Sequence, residues 1–154
     1  MSNDTDPTVF NTIEEALTAI RQGEMVMVVD DDDRENEGDL IMAASKATPE
    51  AVAFMIRHTS GILCTPILQE QAVKLHLDPM VSRNDAPMST AFTVSIDYKE
   101  GLTTGISAEE RAATTQALTN SNVSADDFFP PVLCILKIYD PKIKRVMWFC
   151  VLVL

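Results

Sequence analysis

The chain has 154 residues, of which 46% are hydrophobic and 23% charged, and its formal net charge is −11. This length predicts one domain. The excess of carboxylates argues against a basic face for nucleic acid or for an anionic membrane, so we expect neither partner.

The first predicted element is a helix over residues 12–23. Thr12 and Glu15 form an S/T-x-x-E capping box, and apolar residues follow at helical spacing. Gly23 suits the left-handed position after the last turn. Residues 25–29 are continuously apolar, which predicts a strand buried on both faces.

A second helix is predicted over residues 48–58, with Thr48 as N-cap and Pro49 at the first helical position. Residues 62–67 indicate a strand, 69–75 a short helix, and 91–97 a half-buried strand with Phe92, Val94 and Ile96 on one face. Ser107 begins another capping box and a helix to about residue 118. We therefore expect an α+β fold, a layered α–β domain around a mixed, twisted sheet.

The segment 30–39 contains seven carboxylates and one arginine, directly after the first strand. Carboxylates this close repel one another, and a divalent cation with oxygen ligands is one reason to hold them together. A solvated acidic loop is the alternative. Arg34 within the run could hold a carboxylate or a phosphate.

Cysteine usage and the chain start predict the compartment. The three cysteines (Cys64, Cys134 and Cys150) form no C-x-x-C pair, which favours a reducing environment. The first residues are polar and acidic, without the pattern of a secretory signal. We expect a cytoplasmic protein.

The string DDDRENEGDL at 31–40 resembles the signature of the 3,4-dihydroxy-2-butanone 4-phosphate synthases of riboflavin biosynthesis. The strings SGILC at 60–64, TAFTVSID at 90–97, TTGISA at 103–108 and DDF at 126–128 resemble the same family, in its order. The resemblance covers residues 8–129. It implies conversion of D-ribulose 5-phosphate to 3,4-dihydroxy-2-butanone 4-phosphate and formate, by a homodimer that needs Mg²⁺ or Mn²⁺.

The resemblance also implies roles for individual residues. Glu35 would bind the metal and, with Arg34 and Asp39, the substrate. Three residues match catalytic positions that line the family's pocket: Asp30, Glu37 and Cys64. Thr104, Ser107 and Arg111 are further candidates, and Glu110 stands where the family usually has Asp.

The resemblance ends near residue 130. Residues 1–130 hold 8 Lys/Arg and 22 Asp/Glu, whereas 131–154 hold 4 and 1, with 17 of 24 residues hydrophobic and no Gly or His. The family's later Pro-Gly-His and Gly-His-Thr-Glu-Ala motifs are not found there. We therefore expect an incomplete synthase-like domain at 1–130 and an aberrant apolar tail at 131–154.

Two origins of the tail stay open: a shifted reading frame or mis-spliced gene model, or a divergent protein whose tail forms an extra strand or a partner-binding edge. Two functions stay open as well. The chain is the synthase, or it is a catalytically inactive truncated homologue that acts as a subunit-interaction module.

Overall fold

The computed structural model describes residues 10–29, 33, 37–85, 91–139 and 149–153, with backbone alone for 131–139 and 149–153. Its helices are α1 (Ile13–Gln22), α2 (Pro49–His58), α3 (Gln69–Lys74) and α4 (Ala108–Ala117). Short 3-10 segments cover Ala44–Lys46 and Ala125–Asp127. In the described part of the chain, no helix is long and apolar enough to cross a membrane.

The predicted helix starts and stops are confirmed. At α1 the Thr12 hydroxyl accepts from the Glu15 N–H at 3.2 Å, and the Glu15 carboxylate accepts from the Thr12 N–H at 2.8 Å. Gly23 ends the helix in the left-handed conformation, with φ of 89°. At α2 the Thr48 hydroxyl accepts from the Ala51 N–H, and proline occupies the first turn. Each signal is local, because a cap involves residues three or four apart.

Among the described residues, six strands form one mixed sheet in the order β1-β2-β6-β3-β5-β4. The strands are β1 (Val26–Val29), β2 (Gly38–Ala43), β3 (Leu63–Leu68), β4 (Ile96–Tyr98), β5 (Phe128–Tyr139) and β6 (Phe149–Val153). β3 and β5 are parallel, and the other paired strands are antiparallel. The expected α+β class with a mixed sheet is confirmed.

The prediction that the first strand is buried on both faces is wrong. Met27 is 61% exposed, and Val28 and Val29 are also exposed. β1 lies at the edge of the sheet, where its ladder runs to β2 alone. A short apolar run is typical of a central strand. The burial of the strand, however, depends on its place in the sheet, and the local sequence does not determine that place.

The strand predicted at 91–97 is shorter than expected. The regular strand begins at Ile96, and before it Thr93 makes an isolated bridge to Pro79. Thr93 and Asp97, on the polar side of the predicted alternation, are fully or almost fully buried. Thr93 and Asp97 face protein, so this segment is more deeply buried than the expected half-buried strand.

The helix-covered face of the sheet contains two groups of buried residues. The first core cluster comprises Leu40, Met42, Ala47, Val52, Met55, Leu63 and Ala112. The second core cluster comprises Ile67, Ala72, Leu75, Leu77, Ile96, Leu118, Val123 and Phe128. α4 contributes to both clusters, so this one helix crosses from the first to the second.

Strands β5 and β6 include most of the segment that follows residue 130. β5 continues from residue 128 to 139 alongside β3 and β4, and β6 lies between β2 and β3. The proposed boundary at residue 130 therefore falls within a strand. The division into a domain at 1–130 and a tail stays a prediction.

Candidate functional site

The acidic segment forms the connection of a β-hairpin. β1 and β2 pair antiparallel, with Val29 opposite Gly38, and residues 30–37 connect the two strands in sequence. We call this connection the acidic hairpin loop. Asp33 and Glu37 are exposed in it. Three predicted site residues of the loop lie outside the described residues: Asp30, Arg34 and Glu35.

Asp39 and Cys64 lie on the same face of the sheet. Asp39 is opposite Val153 of β6, and Cys64 is opposite Val151 of the same strand. Directly opposed residues share a face, as do residues two apart along a strand. Asp39 is half-buried and Cys64 is 5% exposed. Two predicted site residues that are distant in sequence are thus brought to one side of the sheet.

The spacing of these two residues follows from sheet geometry. They stand two strands apart and two residues out of step, which places their α-carbons roughly 12 Å from each other. This distance excludes direct contact of their side chains. Glu37 comes two residues before Asp39, so it belongs to the loop end of the same hairpin.

Oxygen ligands dominate the donor set of the hairpin. Asp33, Glu37 and Asp39 supply carboxylates, the donors that Mg²⁺ prefers in proteins. Among the described residues, no group of three His, Cys, Asp or Glu side chains is close enough to hold a metal ion. The described carboxylates of the hairpin thus match a hard divalent cation in donor type alone.

A carboxylate network holds the turn that precedes α4. The Glu110 carboxylate accepts from the Thr103 N–H, from the Thr103 hydroxyl at 2.7 Å, and from the N–H groups of Thr104 at 3.2 Å and Ser107 at 3.3 Å. These hydrogen bonds, the one from the Thr103 N–H first, lower the pKa of Glu110 to about 2. Gly105 has φ of 74° and gives the turn its left-handed step.

Sequence reasoning found Glu110 as half of a capping box but missed its contacts with Thr103 and Thr104. Two threonines just before the cap were the available signal. The candidates Thr104, Ser107 and Arg111 belong to the entry and first turns of α4. This helix packs through Ala108 on the cluster of Leu40 and Leu63, so it covers the face opposite Asp39 and Cys64.

A mixed sheet covered on one face by α2 and α4, with a carboxylate-rich hairpin loop at its end, defines an α+β domain with an acidic site. Residues 14–137 match the family model described as 3,4-dihydroxy-2-butanone 4-phosphate synthase. The chain belongs to this family, which confirms the resemblance. The match continues past residue 130 into β5.

Curated relatives agree. The riboflavin biosynthesis protein RibBA of Nocardia farcinica is 55% identical over 124 residues, which cover 80% of this chain and 30% of that protein. The 3,4-dihydroxy-2-butanone 4-phosphate synthase of Candida albicans is 50% identical over 123 residues, covering 80% of this chain and 60% of that protein. The chain thus spans less than two thirds of the length of these relatives.

Solved structures share the fold. A 3,4-dihydroxy-2-butanone 4-phosphate synthase in complex with two magnesium ions has a TM-score of 0.88 at 32% identity, covering 94% of this chain and 76% of the other. The Candida albicans synthase has a TM-score of 0.77 at 46% identity, covering 87% of this chain and 65% of that one.

Proposed function

We propose that this protein is a 3,4-dihydroxy-2-butanone 4-phosphate synthase, converting D-ribulose 5-phosphate to 3,4-dihydroxy-2-butanone 4-phosphate and formate. The observation that carries the proposal is the family match over residues 14–137, which includes the whole acidic hairpin loop. The reaction needs repeated proton transfers next to sugar carbonyl and hydroxyl groups, and positioned carboxylates perform such transfers.

The predicted site residues have two roles, substrate binding and catalysis. Arg34, Glu35 and Asp39 hold the sugar phosphate, with the Arg34 guanidinium as the positive group in an otherwise acidic loop. The catalytic residues are Asp30, Glu37 and Cys64. The common face of Asp39 and Cys64, and their separation of roughly 12 Å, support a substrate lying between the hairpin and β3.

The same hairpin would hold the metal. Glu35 is the proposed ligand for Mg²⁺ or Mn²⁺, and a magnesium complex is known for a structural relative. When bound, the cation polarises sugar oxygens as a Lewis acid and offsets the mutual repulsion of the loop carboxylates. Glu37 and Asp39 keep carboxylate oxygens at the base of the loop for proton transfer and for sugar hydroxyl groups.

The proposal extends to the assembly and its place in the cell. We propose a homodimer in the cytoplasm, with a sugar phosphate as the small-molecule partner and without nucleic acid or membrane partners. The exposed apolar residues of the edge strand β1, Met27, Val28 and Val29, are consistent with a subunit contact.

Formate release tests the activity. The purified chain is incubated with D-ribulose 5-phosphate and Mg²⁺, and formate is measured against time. We expect release in the wild type, loss on chelation of the metal, and a rate lower by about 100-fold or more for Glu35→Gln. Glu70→Gln, at an exposed carboxylate in the first turn of α3, is the matched control and keeps the wild-type rate.

Unchanged formate release by Glu35→Gln would contradict the assignment of Glu35. A cooperatively folded wild-type chain that releases no formate would favour the alternative, an inactive homologue that acts as a subunit-interaction module. Co-expression with an intact synthase subunit then decides, because the module must be recovered with that subunit.

A further inference from the structure

Three buried polar atoms on α4 and β3 have no hydrogen-bond partner among the described residues. They are the hydroxyl oxygens of Thr65 and Thr115 and the Nε of Arg111. We call these three residues the polar seam. Both threonine side chains are fully buried. A buried hydroxyl without a partner destabilises the folded state, so the seam requires an explanation.

Neighbouring threonines show that this chain otherwise satisfies its buried hydroxyls. The Thr114 hydroxyl donates to the Glu110 carbonyl at 3.0 Å and accepts from the Tyr98 N–H at 2.9 Å. The Thr93 hydroxyl donates to the Val94 carbonyl at 2.8 Å. A helical threonine commonly bonds the carbonyl four residues earlier, as Thr114 does. Thr115, the next residue, does not.

The members of the seam on α4 are arranged in one row. Arg111 and Thr115 are four residues apart, so they lie one above the other on the same side of the helix. Thr115 also lies between Ala112, which belongs to the first core cluster, and Leu118, which belongs to the second. The row therefore crosses the junction of the two clusters.

The sheet contributes Thr65 at the same junction. Along β3, Leu63, Thr65 and Ile67 share a face, because they are two residues apart. Leu63 belongs to the first core cluster and Ile67 to the second. Thr65 on the strand and Thr115 on the helix thus each lie between a residue of the first core cluster and a residue of the second.

We propose that the polar seam is a binding site for an internal water molecule that links β3 to α4. Each hydroxyl can donate or accept, and the Arg111 Nε–H can only donate. Water has two hydrogens and two lone pairs, so it can accept from the Arg111 Nε–H and pair with both hydroxyls when at least one hydroxyl accepts. Buried waters commonly make about three hydrogen bonds to otherwise unsatisfied groups. The site is independent of the proposed synthase activity.

The test is a double-mutant cycle read by thermal unfolding. Thr65→Val and Thr115→Val each remove one hydroxyl at nearly constant shape. If water bridges them, each single variant lowers the Tm by about 2–4 °C, and the double variant loses less than the sum, since both act on one water. Thr114→Val, which removes two observed hydrogen bonds, is the destabilising reference.

Whether the Tm of a valine variant falls or rises distinguishes a water-bridged hydroxyl from an unsatisfied one. A hydroxyl that is simply unsatisfied makes its valine variant equally stable or more stable, and that result overturns the proposal. A second measurement is magnetisation transfer from long-lived water to the Thr65 and Thr115 methyl groups. It is expected in the wild type and lost at the valine methyl groups that replace them in the double variant, and its absence from the wild type also overturns the proposal.

A chloride ion could in principle accept from the same three donors. Replacing chloride by gluconate at constant ionic strength tests whether chloride, rather than water, occupies the polar seam. We expect an unchanged Tm, because water does not depend on the salt. A Tm that falls without chloride in the wild type, but not in the double variant, would identify an anion site and overturn the water assignment.

Discussion

Ile67→Ala is expected to destabilise the protein severely. The Ile67 side chain is fully buried in β3, within the second core cluster. The change removes three carbon groups at about 0.8 kcal/mol each and leaves a cavity, for a total of roughly 3–4 kcal/mol. For a chain of this size the Tm should fall by about 6–15 °C.

Ile106→Ala is the matched control, because it makes the same chemical change at a side chain that is 62% exposed. Its expected cost stays within about 0.5 kcal/mol. Both variants are followed by circular dichroism during heating and in urea. Similar losses for the two variants would refute the reasoning, since the predicted difference depends on burial of β3 between its neighbouring strands.

Three further predictions concern single positions. Glu110→Gln should lower stability at pH 7. Because the pKa of Glu110 in the folded protein, about 2, lies below the ordinary 4.5, the wild type is more stable than the variant above pH 4.5 and loses this advantage as the pH falls towards 2. A stability difference that stays constant across this pH range would contradict the prediction. His76→Gly should raise the Tm by about 2 °C, because His76 follows Leu75, the C-cap of α3, with φ of 55°, a conformation that glycine adopts without strain; a lower Tm would show that the imidazole compensates. Gly23→Ala should lower the Tm by about 2–4 °C, since φ is 89° and the new methyl group would stand 3.4 Å from Lys46 Cβ; an unchanged melting curve would count against strain at this cap.

Local signals in the sequence predicted the helices well. Thr12 with Glu15, Thr48 with Pro49, and Ser107 each identified a helix start that the structure confirms. These motifs succeed because the groups that satisfy a helix end come from the same few residues.

Strand order was beyond local reasoning. The apolar run at β1 has the composition of a central strand, yet β1 lies at the edge, and Asp97 has the sequence pattern of a solvated residue, yet it is buried. Both outcomes depend on which segments neighbour a strand, and those segments are far away in sequence. Periodicity cannot supply that information.

The candidate site, too, was predicted from the sequence only in part. The carboxylate run at 30–39 identified the hairpin, and the resemblance supplied roles for its residues. The common face of Asp39 and Cys64 follows from their registers with Val153 and Val151. No spacing within the motif predicts that relation, because the strand that connects them lies more than 80 residues beyond Cys64.

The central position of β6 has a consequence for how the chain folds. The hairpin of β1 and β2 joins β3 only through β6, where Leu152 lies between Leu40 and Leu63. Until residues 149–153 leave the ribosome, β2 and β3 each expose an unpaired edge that can join another chain. Such long-range pairing raises the contact order and slows folding. Synthesis of this protein should therefore depend on chaperones that shield strand edges, and aggregation during expression should fall when translation and folding are slowed together at lower temperature.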